Sequence, residues 1–202
     1  VIIGLFCAAQ APELFGRDQR HEVLALYFAR ALRRSDYALA RLVGFALALL
    51  VLLLFPMVIL FLGRILLSTD IGGALGRNLP SVAPIVAQAL VISGLLGGLA
   101  MAVSAWTPRR SYATAGIIAL FVLPGLVAGI VVGLGSSTIG TWLVLLSPNT
   151  VLEGTNALFF DEPLGTDYFF FDLPPWTFLA SALAGIVAVT LLVVRRFRRI
   201  AT

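Results

Sequence analysis

The sequence predicts an all-α fold: a polytopic transmembrane helix bundle, with one amphipathic helix on its cytoplasmic side and an interfacial or re-entrant segment on its outer side. Three observations predict it. Of the 202 residues, 60% are hydrophobic and only 12% charged, where soluble domains carry about 25% charged residues. Four uncharged runs reach the length of about 20 residues that crosses a bilayer core. The 14 basic residues, all arginine, gather at the ends of those runs, as the positive-inside rule requires of cytoplasmic loops. A single transmembrane domain spanning 1–202 accounts for the whole chain.

Residues 1–11 (VIIGLFCAAQA) are apolar and show neither the basic start nor the cleavage site of a signal peptide. They read as the end of a truncated span. Residues 13–37 form the one charged, helix-patterned stretch. Leu24, Tyr27, Phe28 and Ala31 recur at the spacing of one helix face, and Asp18, Glu22, Arg30, Arg33 and Arg34 populate the rest, with Arg17 and Arg20 just ahead. Such a helix covers apolar surface while its basic side meets water or anionic membrane lipids. It is expected to lie on the cytoplasmic face, where a soluble partner would push on the spans.

The first full span is 39–66, with Ser35 and Asp36 as its N-cap pair, a tolerated kink at Pro56 and Arg64 snorkelling from its last turn. Residues 68–81, rich in glycine and turn formers, read as a loop. The second span is 82–106. Its Gly94, Gly97 and Gly98 permit close helix approach, either within the chain or between two copies. The basic turn Thr107–Arg110 leads to the third span, 112–134, and the last, 176–194, ends in Arg195, Arg196, Arg198 and Arg199. Residues 135–175 form the extracytoplasmic segment, which has five carboxylates and no basic residue. Its apolar run Thr141–Leu146 is too short to cross. The three arginine-rich sites share one side only if that run lies at the outer interface or dips in and returns. Trp142, Tyr168 and Trp176 suit an interfacial aromatic belt.

Several activities are excluded or demoted. A P-loop needs a lysine, and the chain has none. Nucleic-acid binding fits poorly, because the arginines flank hydrophobic runs and form no basic domain. Cys7 is the lone cysteine, so no internal disulfide or thiolate cluster forms. His21 reads as a solvated surface residue, and the acidic residues 153–172 as a solvated outer loop rather than a cation site. No carboxylate falls inside the four full spans, which counts against a proton relay. Gln88, the one amide well inside a span, reads as an interhelical hydrogen-bonding group before a substrate ligand.

The cytoplasmic segment carries a family resemblance. Pro12, Glu13 and Leu14 follow a span; then come Ala29, Arg30, Ala31, Leu32, Arg34, Tyr37, Leu39 and Arg41 ahead of the next. This is similar to the corresponding segment of ABC-2 type transporter permeases, with Ala31 where proline is common and Arg41 where lysine is common. The long outer segment before the last span also resembles that family. The resemblance implies an exporter in a bacterial plasma membrane, multi-pass, with a cytoplasmic C-terminus. Two permease chains, here a homodimer, would form the pathway, and separate ATP-binding cassette ATPase subunits would bind the ATP and magnesium. This chain would hold no cofactor and no catalytic residue. Residues 17–34 would be the coupling helix on which the ATPase docks, through Arg20, Leu24, Tyr27, Phe28, Arg30, Arg33 and Arg34. The rival readings are a secondary transporter or channel, or a membrane-embedded enzyme or assembly factor, each without an ATPase.

Overall fold

A computed structural model describes residues 2–20, 34–107, 109–134, 137–161 and 173–199. Within them the chain is helical throughout and no strand occurs. In order the helices are α1 (Ile2–Arg20), α2 (Arg34–Leu66), α3 (Ile71–Asn78), α4 (Val82–Trp106), α5 (Arg110–Gly133), α6 (Ser137–Val144), α7 (Pro148–Phe160) and α8 (Trp176–Arg199). Among the described residues four helices are long and apolar enough to cross a membrane: α2, α4 (counted together with α3), α5 and α8. These are the helices of a membrane protein.

Helix α4 is the centre of the bundle and packs against α1, α2, α5, α7 and α8. In the α3–α4 span 56% of the apolar window is buried, against 11% in α2, which sits at the periphery. The small residues of α4 set the spacing. A Cβ on Gly97 would lie 2.9 Å from Leu49 of α2, and one on Gly94 3.0 Å from Ile186 of α8. Gly98 abuts Val189 of α8 in the same way. Of the two uses the sequence left open for these glycines, the observed one is packing within the chain.

Helix α1 continues through Pro12 to Arg20. A proline removes the N–H that would bond the carbonyl four residues earlier, here that of Ala8. The Thr114 hydroxyl of α5 donates to that carbonyl at 3.0 Å, so the freed acceptor is satisfied and the helix need not stop. Further along, Glu13 pairs with Arg110 at 2.8 Å, and Gly4 lies against Phe121. Helix α1 therefore runs antiparallel to α5 and passes its first turn. Removing this half-exposed ion pair with Glu13→Gln should lower stability by at most ~1 kcal/mol. The loss should fade in high salt, as thermal unfolding at two ionic strengths would show.

At the same end α2 and α8 meet. Tyr37 is 9% exposed, its ring centroid is 5.7 Å from that of Phe197, and the Arg41 guanidinium sits 5.5 Å from the ring centre. Tyr37 thus pins the start of α2 to the end of α8, with Arg41 of its own helix against the ring. This end also holds Arg109, Arg110, Arg195, Arg196 and Arg198, and it is the arginine end of the bundle.

One stretch read as a loop is structured. Asp70 accepts a hydrogen bond from the Gly73 N–H at 3.0 Å and caps α3 despite its glycines. At the other terminus of α3 the Asn78 amide donates to the Ala74 carbonyl at 2.7 Å.

Candidate functional site

The seven residues singled out for partner docking fall mostly outside the described residues: Leu24, Tyr27, Phe28, Arg30 and Arg33 do. Of the remaining two, Arg20 closes α1 and Arg34 opens α2. Both helices reach the arginine end, so residues 21–33 connect two elements anchored in the core.

A second site emerges from the segment between the last two spans. Helices α6 and α7 form a splayed hairpin, its legs packing on α5 and α8 rather than on each other. Its turn is closed by backbone bonds from Leu145, Leu146 and Ser147 to the carbonyls of Trp142, Leu143 and Val144. Ser147 then caps α7: its hydroxyl accepts from the Thr150 N–H and from the Thr150 hydroxyl at 3.0 Å. Pro148 takes the first helical position, where a missing N–H does no harm. These local signals turn 148–160 into a helix rather than a solvated loop.

Three side-chain bonds tie the hairpin to three different spans. Ser181 of α8 donates to the Leu145 carbonyl at 2.9 Å. Asn149 donates to the Phe121 carbonyl of α5 at 3.1 Å. Gln88 of α4, only 7% exposed, donates to the Leu152 carbonyl at 3.0 Å. Gln88 is thus the interhelical donor that its place in a span suggested. Phe121 lies midway along α5, so the start of α7 sits at half the depth of the bundle. Just beyond it, Pro124 lies within the continuous helix α5, and a Cβ on Gly125 would come within 3.2 Å of the Ser147 hydroxyl. The hairpin tip occupies the space that this glycine leaves.

The buried face of α7 carries Val151, Gly154, Thr155 and Ala157. Its opposite face carries Asn149, Glu153 and Asn156 at positions i, i+4 and i+7, which share one side of a helix. Asn149 and Glu153 are exposed. With Thr150 they form the polar wall of a groove of about 560 Å³ whose other wall is Phe121, Val122, Gly125 and Leu126 of α5. An apolar cavity of about 260 Å³ adjoins it, sharing Phe121, Val122, Asn149 and Leu152 and extending to Ile3 and Gly4 of α1.

No protein-family model and no curated protein matches the chain. What sequence reasoning missed is Glu153, placed with the outer acids because 153–172 is acidic throughout. The signal that would have found it is the Asn149–Glu153–Asn156 stripe behind the Ser147–Pro148 helix start.

Proposed function

We propose that this chain is the permease subunit of an ABC-2 type ATP-binding cassette exporter, acting as a homodimer in a bacterial plasma membrane. The observation that carries the reading is the arginine end. There α1 leaves the bundle past the Glu13–Arg110 pair, by about 10 Å between Glu13 and Arg20 at the helical rise of 1.5 Å per residue. Helix α2 returns with Tyr37 locked against Phe197. A segment strung between two such anchored helices can pass a push from an ATPase into the core. Residues 17–34 supply that segment, with ATP and magnesium held by the partner. Arginine-rich ends stay cytoplasmic, which puts the C-terminus inside and makes the α6–α7 hairpin re-entrant from the outside. The apolar outer half of α2, where Val51, Phe55, Val58 and Leu60 are exposed, faces lipid or the second permease chain.

A polar stripe that begins at half-depth supports a pathway role. Exposing Asn149, Glu153 and Asn156 to hydrocarbon is costly, and intramembrane polar groups normally face a water-filled space or a protein partner. The same stripe favours a second reading, a cation-coupled secondary transporter with no ATPase, since Glu153 is a carboxylate in a groove.

Purification of the chain from its native membranes separates these readings. A stoichiometric P-loop ATPase in a four-subunit assembly is expected, and reproducible isolation of the permease without one selects the secondary transporter. Orientation has its own test, made after Cys7→Ser. Asp161→Cys should react with an impermeant thiol reagent added to whole cells, and Arg109→Cys should not. Labelling of both from one side would overturn the span arrangement.

A further inference from the structure

We infer that the groove between α5 and α7 binds an organic cation with apolar substituents, its charge held at Glu153 and its hydrocarbon against Phe121, Val122 and Leu126. The inference names the substrate class of the pathway proposed above and rests on that pathway reading, whichever engine drives it.

Charge comes first. Among the described residues Glu153 is the single ionisable side chain lining the groove; α4, α6 and the apolar part of α8 carry no charged residue, and α5 carries only Arg110, at its far end and paired with Glu13. A carboxylate set against so apolar a wall holds its charge best with a positive partner beside it. Chemistry then narrows the class. A hard inorganic cation is held by several oxygens at once, and among the described residues no group of three His, Cys, Asp or Glu side chains is placed to hold one. The groove instead offers one carboxylate, the Asn149 amide and the Thr150 hydroxyl on one side, and hydrocarbon on the other. That division matches an amphipathic cation.

Size agrees. The groove holds about 560 Å³, within the roughly 300–1,000 Å³ typical of small-molecule sites. Helix movement at the arginine end would reach the groove through α1, whose Gly4 lies against Phe121.

The test uses the full chain in lipid nanodiscs, without ATPase, and tetraphenylphosphonium as probe. Tetraphenylphosphonium is a permanent cation, so its own protonation does not enter. Saturable binding is expected, weakened at least ~10-fold by Glu153→Gln, a loss of about 1.4 kcal/mol. Glu153→Asp should retain most of the affinity. The matching anion, tetraphenylborate, should show no Glu153-dependent binding. Unchanged thermal unfolding of Glu153→Gln would establish that the loss is local. Equal tetraphenylphosphonium affinity in wild type and Glu153→Gln would overturn the inference. So would disulfide formation between two copies of Glu153→Cys (in Cys7→Ser), which would mean that a second chain covers the groove. Neither result bears on whether an ATPase co-purifies, so failure of the site and failure of the transporter assignment remain separate.

Discussion

Phe178→Ala should release the α6–α7 hairpin from the bundle and lower the stability of the purified chain by about 3–5 kcal/mol, the usual cost of removing a fully buried aromatic ring. Phe178 is 0% exposed and packs with Ala128 of α5 and Val144 of α6. It also covers Gly154 so closely that any Cβ there would run into the ring. Gly154→Val attacks the same contact from the other side and should cost about 1–3 kcal/mol by overpacking. The two losses should not add, because both break one interface. Thermal unfolding in detergent reads the magnitude, and protease cleavage near 145–147 reads the location. A Phe178→Ala protein that unfolds like wild type, with its hairpin still protected, would contradict the packing described for α7.

That interface also shows what the sequence could and could not reveal. The four spans were legible because an uncharged run of about 20 residues has almost no other stable use. The segment between the last two spans was legible only as an interfacial or re-entrant stretch. Thr141–Leu146 has the composition of a strand, a buried helix or an interfacial segment alike, and its turn is fixed from far away. Leu145 is held by Ser181, 36 residues on, Asn149 by Phe121, 28 residues back, and Leu152 by Gln88, 64 residues back. Such partners are invisible to local pattern. The loop reading of 68–81 failed for a smaller reason: glycine weakens a helix by about 1 kcal/mol per residue, yet the Asp70 cap offsets part of that over a helix of only eight residues. Helix α1 outlasted Pro12 because Thr114, on another span, took the orphaned carbonyl. Glu153 was counted with its acidic neighbours, although its own helix places it in a groove.

The second large effect belongs to the segment between α1 and α2. If an ATPase docks there, Leu24, Tyr27 and Phe28 present one apolar face to it, and truncating an aromatic anchor at an interface typically costs at least ~2 kcal/mol. Tyr27→Ala and Phe28→Ala should therefore weaken ATPase docking about 30-fold or more, or uncouple hydrolysis from transport, with the four spans still inserted. Arg20, Arg30, Arg33 and Arg34 should matter less one at a time, since exposed ion pairs are worth ~0–1 kcal/mol each. Arg33→Ala in particular should show a modest loss at low salt that shrinks in high salt, where charges are screened.

The most direct measurement is ATPase retention, with substrate-stimulated hydrolysis, in membranes reconstituted with wild type, Tyr27→Ala and Phe28→Ala. Wild type should keep the ATPase and stimulate it, and each aromatic variant should lose one or both properties. Normal ATPase binding and wild-type transport by both variants would contradict the coupling role, and residues 17–34 would then be a membrane-surface anchor rather than a coupling helix.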